Sequence, residues 1–198
     1  MISSNIRQAS EAIKAGLLVV YPTDTLYAVG AQIFDAEAVR KVFSLKHRPF
    51  SVPLPVAVDE INAMQQIAVL NENAKKIAHR FLPGKITMIL PKKDTVPPIV
   101  TAHKPSIAVR IPSDETALKL LSITGPLTVT SANIHHQKTP ATVKGIKNEI
   151  SAEDIAFYID EGRRMQSPST IVDLTQFPPK IIRKGTINED EINEVLSL

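Results

Sequence analysis

Leu17-Leu18-Val19-Val20-Tyr21-Pro22-Thr23-Asp24-Thr25 is the stretch whose reading decides the fold class. Its unbroken apolar run reads as a strand buried on both faces, and Pro22, which has no N–H to give a ladder, ends it. Upstream, Ser4 to Ala15 reads as a helix, capped by Ser3 or Ser4 and stopped by Gly16. Downstream, Asp35 caps a helix from Ala36 to about Lys46, in which Val39, Val42, Phe43 and Lys46 fall at helical intervals. Pro49 disfavours helical geometry at Arg48 and closes it. Further strands are expected at Leu54–Val58, Ile86–Leu90, Ile107–Ile111, Leu127–Thr130, Ile155–Ile159, Thr170–Leu174 and Lys180–Ile182. Helices are expected at Asn71–Phe81, Ser113–Thr124, Thr142–Ile150 and Asn188–Leu196, the last with Asn188 and Glu191 in capping-box register. Helices interleaved with strands define an α/β chain. Short gaps such as Leu174 to Lys180 imply hairpins, so the expected sheet is mixed, twisted and open.

Composition bounds the rest. The 198 residues suit a single domain, 1–198, and 43% hydrophobic with 22% charged is ordinary globular usage. There is no cysteine, which removes disulfide scaffolds, thiolate catalysis and Fe–S clusters together. No apolar run approaches a membrane span and the opening MISSNIRQ lacks a signal-peptide layout, so a soluble, cytoplasmic protein is expected. A net charge of +3 with 5% aromatics and no tryptophan argues against a polycationic arm or a base-stacking platform.

Several familiar devices are missing. None of the seven glycines builds a Walker or Rossmann loop, and the histidines show no H-E-x-x-H spacing. Adjacent His135 and His136 should point in different directions, a weak metal signal beside the plainer reading of a solvated loop. What stands out is the position of the small polar residues. Thr23-Asp24-Thr25 follows the first strand, Thr130-Ser131-Ala132-Asn133 follows another, and Arg110 closes a third. Ligands of open α/β sheets sit beyond the carboxyl ends of strands, although Ser, Thr and Asn there are also ordinary turn residues. Lys46-His47-Arg48 reads either as cations complementing a helix C-terminus or as a triphosphate clamp. Arg183 and Lys184 add positive charge near the end. Asp24 reads as a base, an Mg²⁺ ligand or a turn cap. The residues by themselves support a cleft for a small polyanion.

Taken in order, Tyr21-Pro22-Thr23-Asp24-Thr25-Leu26-Tyr27-Ala28-Val29-Gly30, Lys46-His47-Arg48-Pro49, Phe81-Leu82-Pro83-Gly84, Ala108-Val109-Arg110-Ile111-Pro112, Thr130-Ser131-Ala132-Asn133, Pro168-Ser169-Thr170-Ile171-Val172-Asp173 and Arg183-Lys184-Gly185 closely resemble the YrdC/TsaC family. The resemblance implies a YrdC-like fold with a basic concave cleft, in the short form that lacks the extra C-terminal domain of longer members. It implies threonylcarbamoyl-AMP synthase activity, a nucleotidyl transfer in which L-threonine, bicarbonate and ATP give threonylcarbamoyl adenylate and pyrophosphate. A TsaD-type partner would then modify the adenosine beside the tRNA anticodon. Carried over residue by residue, Thr23, Thr25, Arg110 and Ser169 would hold threonine. Lys46 and Arg48 would be catalytic at the triphosphate, and Arg48, Ser106, Ser131, Asn133, Thr139 and Arg183 would contact ATP. Mg²⁺ would come with ATP, held by phosphates and water rather than by protein ligands.

The chain departs from the pattern in places. The family's R-P-x-x-N-P-L is Arg48-Pro49-Phe50-Ser51-Val52-Pro53-Leu54, a common histidine is Ala57, and Y-G-L-G is Tyr27-Ala28-Val29-Gly30. The S-G after S-A-N is His135-His136. Valine and alanine leave only backbone groups for hydrogen bonding at their positions. Two rival readings remain. One is a module that holds double-stranded RNA or tRNA through phosphate contacts. The other is a relative in carbamoyl transfer to another acceptor.

Overall fold

A computed structural model describes residues 3–150, 152–164 and 167–197; the 1–198 domain expectation includes positions outside those ranges. The opening follows the sequence reading closely. Helix α1 (Ser4–Lys14) starts where the Ser3 side chain accepts from the Ile6 N–H, and it buries Ile6, Ala9 and Ile13. Strand β1 (Leu18–Pro22) is buried throughout. A second strand, β2 (Tyr27–Gly30), returns antiparallel to it after the Thr23–Leu26 turn. Helix α2 (Ala36–Leu45) is capped by Asp35 accepting from the N–H groups of Glu37 and Ala38.

The remaining elements are β3 (Val56–Ala57), α3 (Ile61–Ile67), α4 (Glu72–Phe81), β4 (Ile86–Pro91), β5 (Ser106–Arg110), α5 (Glu115–Thr124), β6 (Leu127–Thr128), β7 (Thr130–Ser131), α6 (Val143–Glu149), β8 (Ile155–Tyr158), β9 (Thr170–Asp173), β10 (Lys180–Arg183) and α7 (Glu189–Ser197). The strands divide between two mixed sheets, β7-β2-β1-β8 and β10-β9-β4-β5-β3-β6. The expected β9–β10 hairpin is antiparallel as its short gap requires. The expected capping box of α7 is present, with Asn188 and Glu191 bonding each other's N–H groups.

Three differences from the sequence reading have physical reasons. The Leu54–Val58 strand shrinks to Val56–Ala57, because Pro53 and Pro55 have no N–H to donate. The Leu127–Thr130 strand is two strands: Leu127–Thr128 pairs with β3 in one sheet, while Thr130–Ser131 pairs with β2 in the other. That segment therefore ties the sheets together, and the buried Tyr21 hydroxyl donates to the Thr128 carbonyl at the same seam, 3.0 Å. Helix α3 and strand β2 are additional elements. The larger hydrophobic core fills the space among α2, α4, α6 and the sheets, and a second one joins α1 and α5 to β1. Among the described residues, no helix is long and apolar enough to cross a membrane.

Candidate functional site

The two sheets leave a cavity of about 320 Å³ between them. Thr23, Thr25 and Tyr27 form one wall with Thr130 and Ser131, and Thr87, Ile89, Ala108, Arg110 and Ile171 form the other. Arg48, Ser169 and Arg183 complete the lining. The alternation of β4 explains the second wall: Ile86, Met88 and Leu90 enter the core, which turns Thr87 and Ile89 toward the cavity.

The floor is a closed network. Thr23 Oγ1 donates to the Leu26 carbonyl at 2.6 Å and accepts from the N–H groups of Thr25 and Leu26, which shapes the turn after β1. Its hydroxyl also meets Thr25 Oγ1 at 3.0 Å. Thr25 Oγ1 in turn accepts from Arg110 Nη1 at 3.2 Å. Arg110 Nη2 donates to both oxygens of Asp24, at 2.6 and 2.8 Å, and to the Gly84 carbonyl at 3.0 Å. This ion pair is buried, with side-chain exposures of 5% for Arg110 and 8% for Asp24. Asp24 is thus neither a turn cap nor a free base; it neutralises Arg110. Arg110 Nε is buried and has no hydrogen-bond partner among the described residues. Burial lowers the Arg110 pKa, and the Asp24 charge opposes that shift.

Around the rim, Arg48 and Arg183 have no carboxylate partner among the described residues. Arg48 Nε and Nη2 donate to the carbonyls of Val52 and Pro53, at 3.1 and 2.7 Å. At position 52, where the side chain is apolar, the backbone carbonyl is what meets Arg48. Arg183 bonds the Ser169 carbonyl through Nε and Nη2, at 3.1 and 2.8 Å, and the Ser169 hydroxyl through Nη2 at 3.0 Å. Ser169 Oγ also meets Thr87 Oγ1 at 2.9 Å, so one hydroxyl pair spans β4 and the start of β9. Burial lowers the pKa of both rim arginines, and Arg110 adds to the effect on Arg183. Behind Ser169 only glycine fits at position 185, because a Cβ there would lie 2.5 Å from the backbone of Pro168, Ser169 and Thr170.

Lys46 sits behind the wall rather than on it. Its side chain is buried, and Nζ donates to the Ser131 carbonyl, to the Asn133 carbonyl at 2.6 Å and to Asn133 Oδ1 at 3.0 Å. Burial, then the Arg48 charge, draws its pKa down to about 7. Asn133 Oδ1 also accepts from Ser131 Oγ at 2.6 Å, and its Nδ2 donates to the Gln137 carbonyl. Lys46 and Asn133 thus fix the loop that carries Ser131. Ser106 opens β5 on the same face as Ala108 and Arg110 but lies beyond the lining. Thr139 lies on the loop before α6, also outside the lining.

The structure thus brings Thr23, Thr25, Arg48, Arg110, Ser131, Ser169 and Arg183 together at one cavity, while Lys46, Ser106, Asn133 and Thr139 lie outside its lining. Sequence reading missed Tyr27, Thr87 and the Asp24 partnership. Two signals were available: a lone threonine inside the apolar Ile86–Leu90 run, and an arginine ending an apolar strand, which needs a buried acid. Tyr27 had no such signal, since its hydroxyl donates to the distant Gly162 carbonyl at 2.8 Å.

A cation cage does not fit this lining. Among the described residues no acidic side chain lines the cavity, and no three His, Cys, Asp or Glu groups converge. Any metal must therefore bring most of its oxygen ligands with it.

Fold and site define an α/β protein with a cleft between two sheets, lined by hydroxyl and guanidinium side chains. The chain belongs to the Sua5/YciO/YrdC family, whose model, described as "Telomere recombination", matches residues 11–185. It is 36% identical over 194 residues to the threonylcarbamoyl-AMP synthase of Pyrococcus abyssi, covering 96% of this chain and 57% of that protein. The chain therefore spans little more than half the length of that relative. It is 42% identical to a putative threonylcarbamoyl-AMP synthase of Methanocaldococcus jannaschii, covering 87% of this chain and 81% of the relative. The crystal structure of Pyrococcus abyssi Sua5 complexed with L-threonine matches with a TM-score of 0.92 at 35% identity, over 96% of this chain and 56% of that one.

Proposed function

We propose that the cleft binds L-threonine and ATP and forms threonylcarbamoyl adenylate with release of pyrophosphate. One observation carries the reading. Among the described residues the cavity combines a donor without a partner, Arg110 Nε, with two rim guanidiniums that have no carboxylate partner. An unpaired buried donor costs on the order of 1–3 kcal/mol, and a substrate carboxylate beside it recovers that cost. A triphosphate supplies the counter-charge for Arg48 and Arg183. The name of the Pyrococcus abyssi relative and its threonine complex support the same pairing of ligands.

The chemistry balances without a protein nucleophile. The neutral threonine amine attacks the carbon of bicarbonate, a C–N bond forms, and water is lost to leave a carbamate. A carbamate oxygen then attacks the α-phosphorus of ATP, and the bond to pyrophosphate breaks. Thr25 and Ser169 orient the amino acid, Arg110 fixes its carboxylate, and Arg48 and Arg183 stabilise charge growing on the phosphates. Lys46 acts by holding the Ser131 loop. Mg²⁺ enters as the counter-ion of ATP. A TsaD-type partner that passes the group to tRNA, and a cytoplasmic location, belong to the same reading.

The test is pyrophosphate release from the purified protein with ATP, Mg²⁺, L-threonine and bicarbonate, omitting each in turn. Release that requires every substrate is expected. Release without threonine, or none while ATP still binds, overturns the reading.

A further inference from the structure

At the rim the chain carries the adjacent pair His135-His136, and the structure places His135 against Arg48. His136 takes a left-handed conformation, φ +68°, the region that glycine adopts most readily. That turn does not send the two rings apart, as adjacency alone suggested. It stacks them instead, with centroids 3.9 Å apart. The His135 N–H donates to the Lys46 carbonyl at 2.9 Å, which seats the ring beside Arg48. His135 Nδ1 lies 3.5 Å from Arg48 Nη1. A guanidinium only donates, so the approach makes Nδ1 the acceptor and puts the ring proton on Nε2.

Three charged or titratable groups face His135: His136, Arg48 and Lys46, all of them bases. No salt bridge joins the ring to a carboxylate among the described residues. Desolvation and these neighbours hold its pKa below the ordinary histidine value. The contact with Arg48, which can only donate, requires an unprotonated Nδ1 on His135. An arriving phosphate reverses both conditions. It draws the Arg48 Nη1 donor away from Nδ1, and its negative charge favours the imidazolium.

We propose that His135 positions Arg48 in the open cleft and takes up a proton when a polyphosphate binds, becoming an additional cation of the phosphate clamp. The proton comes from solvent and settles on Nδ1, the atom that Arg48 vacates. The inference rests on the ATP-binding reading and adds to it a titratable residue in contact with the rim arginine.

The measurement is calorimetry of Mg-ATP binding to the whole chain at pH 7.5 in buffers of different ionisation enthalpy, repeated with His135→Gln. Glutamine keeps a side-chain acceptor for Arg48 but does not titrate. The wild type should take up a fraction of a proton per ATP that the variant does not. Its affinity should fall as the pH rises above the lowered pKa of the free ring, by at most about tenfold per unit for a single proton. The pH dependence of His135→Gln should be smaller, keeping only what the nucleotide and Lys46 contribute. His136→Ala, which removes the stacked ring but not the Arg48 contact, should retain the proton uptake. Equal uptake by wild type and His135→Gln, with ATP bound by both, overturns this inference and leaves the proposed function standing. Failure of Mg-ATP to bind the wild type overturns both. A histidine proton resonance of the wild type tests the same point without depending on how the variant folds: its titration midpoint should rise on adding Mg-ATP, and an unmoved midpoint for every histidine overturns the inference.

Discussion

Arg110 and Arg48 line the same cavity under opposite arrangements. Arg110 is almost fully buried and grips a buried carboxylate, a threonine hydroxyl and a backbone carbonyl. Arg48 sits at the rim on backbone carbonyls and a neutral ring nitrogen, so its charge is solvated but not neutralised. A desolvated charge has to be compensated within the fold or it destabilises it, whereas a half-exposed one is free to wait for a ligand. The floor of the cleft is thus a structural device with one donor left over. Its rim is an electrostatic device with little structural duty.

The contrast is broken most severely at Asp24. Asp24→Ala leaves the Arg110 guanidinium buried without its counter-charge and should cost about 3–5 kcal/mol in denaturant unfolding. A loss below about 1 kcal/mol would mean that Arg110 swings out to water and the floor is not rigid. At the rim the effect should move from stability to catalysis. Arg48→Ala should slow pyrophosphate release by about 100-fold or more, as for loss of a preorganised donor at developing charge. Its unfolding free energy should change by only about 1–2 kcal/mol, the worth of two bonds to carbonyls. Comparable losses in both measurements would erase the distinction between floor and rim.

Lys46 belongs between the two regions, and its titration sharpens the comparison. Its folded pKa of about 7 lies below the ordinary 10.5, so between those values the unfolded chain binds the extra proton. Stability should therefore be lowest below pH 7 and rise as the pH increases toward 10, and Lys46→Met should flatten that rise. A wild-type profile that falls over this range contradicts the assignment. The smallest effect is expected at the seam between the sheets. Tyr21→Phe removes one buried bond to the Thr128 carbonyl and should cost about 1 kcal/mol by thermal or chemical unfolding.

The same division decides what the sequence made legible. Helices α1 and α2 and strand β1 could be read because apolar spacing, caps and prolines are local signals, and they stand nearly where they were expected. The split of Leu127–Ser131 between two sheets could not, since nothing local distinguishes a strand that changes partners midway. Strand β2 is four residues long, fully buried and hidden behind a turn, so it shows no alternation. At the site, polar residues after strand ends were legible as a group, and Thr25, Arg48, Arg110 and Ser169 do converge. Which cations face the cavity was not. Lys46 and Arg48 are two residues apart on one helix end, yet one turns inward to the Asn133 loop and the other to the rim. The inward turn of Lys46 depends on acceptors 85 and 87 residues along the chain.

The central claim is that floor and rim bind different substrates. L-threonine and Mg-ATP titrated separately into wild type, Arg110→Lys and Arg48→Ala test it directly. Arg110→Lys, which keeps the charge beside Asp24 but loses the fork, should weaken threonine binding about tenfold or more and ATP binding little. Arg48→Ala should do the reverse. Equal weakening of both ligands by either substitution would contradict the account.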